Sequence, residues 1–597
     1  MDRIVPRQLV EGDIPGALVT VVAGGRTVFS QGYGSAHVET GAPMDAATTG
    51  FYTASLVKLF TATAVLQLVQ AGKLDLHTDV NAYLQGFSVP DTYPGRPVTV
   101  HHLLTYTSGF DNNVYGWAQW DGDRMPSLTE FAANVLPGRV RAPGELVAYN
   151  NYDYALLGRL VEIASGRSYA SYVAERVFAP LGMRSTSAAQ PHPPTLEGGL
   201  AAGHRPVRGS QTRTAGQQSP ATPAGADVIT TSPDLARFMI AQLRADPALG
   251  PGVPALMQRE RFTSDASIPG MGYAFEQRPH NGHPVAFKDG DLPGLHTDMA
   301  LLPDADVGIH VVYNGDGHDQ AAFWGGKELI ETIIDESFPA DVPERDPLDG
   351  DVSRYAGEYE DTRTSRSSFA RVGSLTEPVT ADVAGGGQLT TNGLSEDPSV
   401  STQDWVQIEP GLFRLEGGTA TMALDDHGAL VSSQTPAASY VRLDWYRSPQ
   451  LHLLVAGAAL AVLLLGFFLL PVQALIRRHL LRPRRSAGSR SARVLAWATS
   501  LCAVLFGAAF GVIASDANRL MQIALTGDPV LSFALNTVSV MGVLTVAVAV
   551  CAVVSWCRSW WTWAERIAYS GYALAAVGFV GIAVTYRLLG APLAVTV

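Results

Sequence analysis

Three kinds of hydrophobic pattern follow one another along the 597 residues. The first is short and alternating. From Ile14 to Gly32 it predicts two strands around a Gly24-Gly25 turn, a hairpin. Then Leu56, Leu59, Phe60, Leu66 and Val69 recur at helical spacing, with Thr63 on the same stripe and Gly72 as a stop, so a helix is expected from Ser55 to about Gln70. Helical spacing returns at Tyr154–Ser165, Tyr172–Phe178 and Gln320–Glu336. Strands are expected at Val285–Phe287, His296–Leu302 and Val307–Tyr313, and loops at Pro191–Pro223. Strands at both ends with helices between them predict one sheet built from both termini of a domain.

A second pattern begins after Pro339–Pro347, an acidic, proline-bearing linker. Trp405–Ile408, Leu412–Leu415, Ala420–Leu424, Ala429–Ser432 and Tyr440–Leu443 are short runs separated by turn residues, with Asp425-Asp426-His427-Gly428 between two of them. They predict a small antiparallel sheet or barrel with a structural or substrate-shaping role.

The third pattern is continuous. Leu451–Val472 and segments near Val494–Ala514, Val530–Val554 and Ile567–Leu588 are long enough to cross a bilayer. The first connecting loop carries Arg477, Arg478, Arg482, Arg484, Arg485, Arg490 and Arg493, and the third carries Arg558 and Arg566 beside Trp560, Trp561 and Trp563. The middle loop, near Asp516–Asp528, has Arg519 alone. The excess of arginine assigns the first and third loops to the cytoplasm and everything before residue 450 to the outside. The start, Met1-Asp2-Arg3-Ile4, shows no basic region followed by an apolar run, so no signal peptide is visible. The expected organisation is a domain at 1–340, a β domain at 348–446 and a membrane domain of about four helices at 450–592, a multi-pass cell-membrane protein.

Composition narrows the chemistry. A formal charge of −13 argues against a nucleic-acid partner. Cys502, Cys551 and Cys557 all lie in the apolar C-terminal part, so the residues ahead of them offer neither a disulfide framework nor a cysteine metal site. No H-E-x-x-H motif and no convincing phosphate-binding glycine loop occurs, and no cofactor or metal is expected. Asn314-Gly315-Asp316-Gly317 reads as a turn after a strand, and His280 and His283 as exposed loop residues.

Lysine is rare: among 42 basic residues only Lys58, Lys73, Lys288 and Lys327 are lysine. Two of these occupy motifs that need an amine, and a buried lysine, unlike arginine, can lose its proton and act as a base. Lys58 closes Ser55-Leu56-Val57-Lys58 and Lys288 opens Lys288-Asp289-Gly290. Ser55 stands where a strand gives way to a helix, with Lys58 one turn on, so both project from one face beside the free backbone N–H groups of the helix start. Apolar Leu56, Val57, Leu59 and Phe60 can desolvate Lys58 and lower its pKa. Tyr149-Asn150-Asn151 precedes another helix, and a tyrosine near cations can serve as a general base. Gly290 lets a strand edge approach a substrate carbonyl.

The order and spacing of these three pieces resemble the serine β-lactamase-related family, in the branch of class C β-lactamases, D-aminopeptidases and family VIII esterases. Leu103-Leu104-Thr105-Tyr106-Thr107-Ser108-Gly109, Ala179-Pro180-Leu181-Gly182-Met183, Thr230-Thr231-Ser232-Pro233-Asp234-Leu235, Leu302-Pro303-Asp304 and Val312-Tyr313-Asn314 fit it as well. The likeness covers about residues 10–335. It implies an α/β (α+β) serine β-lactamase/transpeptidase-like domain with an antiparallel sheet flanked by helices, followed here by the small all-β domain and the transmembrane bundle. It implies Ser55 as nucleophile through an acyl-enzyme, Lys58 and Tyr149 sharing the acid and base work, Asn151 on the substrate amide, and Lys288 as the cation of the third motif. The oxyanion hole it implies is the N–H groups of Ser55 and of Asp291, just past Gly290.

Two positions depart from the family pattern. Asn150 stands where Ser or Ala is usual, and Asp289 where penicillin-binding relatives often carry Thr. Asp289 with Asp291 beside it is expected to repel a carboxylate, favouring esters, neutral amides or peptides with a free amino end. The expected function is a membrane-anchored extracytoplasmic serine hydrolase acting on a small-molecule or peptide substrate, cell-wall fragments included. The alternative is a slow-turnover sensor or receptor of cell-wall fragments or β-lactams.

Overall fold

Glycines 24 and 25, both at positive φ, turn the first alternating segment back on itself, and the resulting hairpin lies inside a seven-stranded antiparallel sheet. In this computed structural model the strands are Gly16–Ala23 (β1), Arg26–His37 (β2), Ala42–Pro43 (β3), Glu276–Gln277 (β4), Ala286–Leu292 (β5), Leu295–Leu302 (β6) and Val307–Tyr313 (β7). Their spatial order is β3-β2-β1-β7-β6-β5-β4, so β1 pairs with β7 and the two ends of the domain close one sheet. The described residues are all of 1–597 except 114–116, 118–124, 215–218, 220, 225–227, 341–346, 349, 376–377, 425–427, 481–485, 515–528 and 591–597. The expected turn at 425–427, most of the expected linker, Arg482, Arg484, Arg485 and the middle loop with Arg519 fall outside them.

Both faces of the sheet are covered. One carries Ile4–Glu11 (α1), which the pattern reading did not expect, and Ala321–Ser337; Val5, Leu9, Leu329, Ile330 and Ile334 pack there on Ala17, Val19, Phe287 and Val311. The other carries the helical layer, with Val57–Gln70 (α2) at its centre, Asn151–Ser165 (α3) and Ser232–Leu243 (α4); the helix at Ala321–Ser337 is α5. Helix α2 was expected to show one apolar stripe. Instead every side chain from Val57 to Leu66 is buried, including those of Lys58, Thr61 and Thr63. Its threonines satisfy themselves on backbone: Thr61 Oγ1 donates to Val57 O (3.2 Å) and Thr63 Oγ1 to Leu59 O (2.8 Å). The expected loop region also contains a small hairpin, His204–Val207 with Ser210–Arg213, turning at Arg208-Gly209, both at positive φ.

The second region is a closed barrel of eight antiparallel strands: Gly357–Asp361 (β8), Val379–Gly385 (β9), Gln388–Asn392 (β10), Thr402–Glu409 (β11), Leu412–Leu415 (β12), Thr421–Leu424 (β13), Ala429–Ser432 (β14) and Tyr440–Arg442 (β15). Closure leaves no unpaired edge. Its interior is built on buried Trp405, whose indole N–H donates to Thr391 Oγ1 (2.8 Å).

Among the described residues the third region holds four helices long and apolar enough to cross a membrane: Pro449–His479 (α6), Ala487–Ala514 (α7), Pro529–Cys557 (α8) and Trp563–Thr585 (α9). They pack together through small and aromatic side chains such as Ala492, Ala496, Tyr569, Tyr572 and Ala576, and Tyr572 OH donates to Ala496 O (2.6 Å).

Candidate active site

The chain reaches Ser55 from a short strand, Gly50–Tyr52, that pairs with Ile229–Thr231. Ala54 then takes a left-handed conformation (φ 43°), uncommon for a residue with a Cβ and worth about 1–3 kcal/mol of strain. A single 3-10 turn, Ala54–Leu56, leads into α2. This sharp entry lifts Ser55 out of the buried helix, so that it is half-exposed while Lys58, one turn on, has no exposed surface.

Three motif groups meet here. Lys58 Nζ donates to Ser55 Oγ at 2.8 Å, and Ser55 Oγ shares a 2.7 Å hydrogen bond with Tyr149 OH. Burial pulls the Lys58 ammonium well below the ordinary lysine range, and the charge of Lys288 pushes the same way. Burial raises the Tyr149 phenol, with Lys288 and the Ser55 hydrogen bond opposing it only in part. A phenolate base is therefore not what this pocket favours. A neutral Lys58 amine and a protonated Tyr149 are the forms that suit the surroundings.

Tyr149 is held by its backbone and its ring. Its N–H donates to Ala437 O of the barrel (3.0 Å), and the preceding N–H, of Ala148, donates to Tyr106 O (2.9 Å). Its ring lies 4.6 Å from that of Tyr106, and the Lys58, Lys288 and Arg363 cations stand 4.9, 5.2 and 5.3 Å from its centroid. The unusual Asn150 is explained by geometry. It is buried and caps α3, accepting from Tyr152 N (2.7 Å), and its amide donates to Asp111 O (2.9 Å). Asn151 is the first residue of α3 and half-buried.

Lys288 and Gly290 lie on β5. A Cβ on Gly290 would stand 2.8 Å from Ser55 N and 2.9 Å from Thr53 O, so only glycine lets this strand run against the serine turn. Side chains alternate along a strand. Phe287 packs with the terminal helices, and Ala286 and Leu292 with the helical layer. Asp289 and Asp291 thus share the face of Phe287, turned from the helical layer. Asp289 is spanned by two ammonium groups, Lys288 Nζ at 2.5 Å and Lys327 Nζ at 3.5 Å. Asp291 accepts from His296 Nδ1 (2.6 Å), whose other nitrogen donates to Asp316 (3.1 Å). The repulsion of a carboxylate expected from this acidic pair is not what the geometry provides: both charges are compensated by cations.

Beyond the sequence motifs, the structure adds a buried relay of charge behind β5. Lys327 contacts Glu396 of the barrel (3.3 Å), and Glu396 accepts from Arg278 (2.7 Å), which also holds Glu276 (2.7 Å). Lysine rarity was a usable signal for Lys327. Nothing in the pattern marked Arg363, one arginine among many, as a neighbour of Tyr149. His280 and His283, expected to be exposed, are half-buried and engaged with Asp335 (2.7 Å) and Asp304 (2.9 Å). Asp316, expected in a simple turn, is buried and also accepts from Gly294 N (2.5 Å).

The sequence profile of the family described as Beta-lactamase matches residues 1–326, more than half of the chain. The chain belongs to the Beta-lactamase family. As a Beta-lactamase-family protein it is 28% identical to penicillin-binding protein 4 of Amycolatopsis lactamdurans over 377 residues, 59% of this chain and 94% of that protein. Protein flp of Staphylococcus aureus strain N315 is 29% identical over 188 residues, 31% of this chain and 37% of that protein. A crystal structure of SurE superposes with a TM-score of 0.51 at 21% identity, covering 74% of this chain and 98% of that one. That likeness concerns the fold alone; the chain combines a serine β-lactamase and penicillin-binding-protein-like fold, a closed antiparallel barrel and four long apolar helices.

Proposed function

We propose that the protein is a membrane-anchored serine hydrolase whose catalytic domain lies outside the cell. The observation that carries this reading is the continuous hydrogen-bonded line Lys58 Nζ, Ser55 Oγ, Tyr149 OH, at 2.8 and 2.7 Å. Neutral Lys58 takes the Ser55 proton as Oγ attacks a carbonyl, and an acyl-enzyme forms. The Tyr149 phenol, bonded to Oγ, delivers a proton to the leaving group, and Lys58 regenerates the line. The N–H groups of Ser55 and Asp291 receive the oxyanion, with the Gly290 edge pressed against the serine turn. Lys288 holds its charge beside the Tyr149 ring, and Asn151 sits at the head of α3 to meet a substrate amide. Substrates are esters, amides or peptides.

The arginine-rich loops after α6 and after α8 support an outside position for the catalytic domain. The test uses the full-length protein in nanodiscs with 4-nitrophenyl hexanoate. Sustained, Ser55-dependent release of nitrophenolate is expected, and Ser55→Ala should abolish it together with fluorophosphonate labelling. A single stoichiometric burst without turnover would instead favour the slow sensor. Labelling that survives Ser55→Ala would remove the assignment. Protease added to intact cells should cut residues before 450 and spare the loop around Arg490.

A further inference from the structure

The segment joining β8 to β9 touches the active site at one end and the helix bundle at the other. Near its start, Arg363, an exposed residue, places its guanidinium 5.3 Å from the centroid of the Tyr149 ring. Among the described residues that guanidinium has no carboxylate within 4 Å; its strongest acidic influence is Asp361, whose carboxylate accepts from the Arg363 backbone N–H (2.7 Å). Residues 363–367 are anchored on the catalytic domain by two neighbours. Asn112 Nδ2 donates to Arg363 O (3.0 Å). Asp111, 1% exposed, accepts from Arg366 N and Ser367 N (2.8 Å each), from Ser365 Oγ (3.2 Å) and from Ser367 Oγ. Asp111 is in turn held through its carbonyl by Asn150, the residue that departs from the family pattern. Farther on, Phe369, Val372 and Leu375 pack in the core of the membrane helices, and Arg587, just past α9, donates to Arg366 O (3.0 Å).

A buried carboxylate that accepts four hydrogen bonds from one loop fixes that loop's backbone, not merely its side chains. The order Asn150, Asp111, loop, Arg363 therefore runs from the second motif back to the catalytic tyrosine by way of the barrel. At the cleft, Arg363 joins Lys288 as a second cation, while Asp289 faces Lys288 and Lys327. A planar guanidinium with open donors recognises a carboxylate or phosphate with two parallel hydrogen bonds.

We propose that Arg363 is a specificity-determining residue that seats an anionic group a few bonds from the scissile carbonyl. Asp111 is the positioning residue that holds it there, and the membrane bundle is its second anchor. This rests on Ser55 being acylated, as proposed above.

The experiment measures the pre-steady-state nitrophenolate burst of the full-length protein in nanodiscs with two esters, 4-nitrophenyl hexanoate and mono-4-nitrophenyl adipate. The burst reports acylation whether or not turnover follows. The wild type should acylate faster with the adipate ester. Arg363→Ala, a change at an exposed side chain, should lower the adipate-to-hexanoate ratio of acylation rates tenfold or more, and Arg363→Lys should restore part of it. Asp111→Asn should lower the same ratio by a comparable factor, expressed in the apparent affinity for the adipate ester, with no further loss when added to Arg363→Ala. Phe369→Ala should lower it in the same direction. A merely structural Asp111 would slow both esters equally and leave the ratio untouched, which overturns its positioning role. A ratio unchanged in Arg363→Ala, or a wild type with no preference for the adipate ester, overturns the anion seat. Absence of any Ser55-dependent burst with the hexanoate ester would instead be the failure of the hydrolase reading itself.

Discussion

Two lysines flank Tyr149, at 4.9 and 5.2 Å from its ring, both with about 1% or less of their surface exposed, and they are driven to opposite proton affinities. Lys58 sits on a helix buried all round, where desolvation dominates and the nearby Lys288 and Arg363 charges add to it, so its pKa falls. Lys288 sits on a strand edge. Burial, the largest single influence, would lower it too, but Asp289 at 2.5 Å together with Tyr149 and Glu276 outweighs burial and raises its pKa above the usual lysine range. One residue type is thus favoured as a neutral amine on one side of the ring and as a cation on the other. Burial alone does not decide the protonation of a lysine; the charge within hydrogen-bond reach does.

The contrast is broken most directly at Lys58. Lys58→Arg keeps a cation but provides no proton acceptor at working pH, so acylation by 4-nitrophenyl hexanoate should fall roughly 10²–10⁴-fold. Retention of most activity would make Lys58 an electrostatic group like Lys288.

Asp289→Asn sharpens the comparison from the other side. Removing the carboxylate takes away the partner that raises Lys288, and it also removes an opposing influence on Lys58. Both lysines should then lose their protons more readily. In the pH profile of kcat/KM the acidic limb, set by deprotonation of Lys58, and the alkaline limb, set by the Tyr149 phenol, which Asp289 also raises, should both move to lower pH. Limbs that stay in place would show that Asp289 does not set the charge of either pocket.

A smaller effect is expected at His296, the cation that compensates Asp291. Burial alone would lower its pKa, but hydrogen bonds to Asp291 and Asp316 raise it to about 9. A group raised on folding stabilises fully below its unfolded value, near 6.5, and loses that contribution as pH climbs through about 9. The shift corresponds to roughly 3 kcal/mol. Thermal melts of the full-length protein between pH 6 and pH 9.5 should show stability falling over this window, and His296→Gln should flatten that fall. An unchanged slope in the variant would assign the pH dependence elsewhere.

Much of this was readable because the signals are short in range. Ser55 and Lys58 are three positions apart on one face, Gly24-Gly25 marks a hairpin, and four long apolar runs announce four helices. The misreadings came from partners distant in the chain. A stripe on α2 became a helix buried all round, because sheet and helices enclose it. The acids of the third motif were given to the cleft because their cationic partners, Lys327 and His296, could not be placed from spacing.

The sequence by itself determined the turn at Ser55, the three motifs in order, the β-rich middle and the apolar end, since each depends on propensity and period within a few turns of chain. Only the tertiary structure decided which way Asp289 and Asp291 face, which lysine gives up its proton, and that a barrel loop lies over Tyr149. The Arg366 N–H and the Asp111 carboxylate that receives it are 255 positions apart. Electrostatics and packing act through space, and at that separation only the folded chain brings the two together.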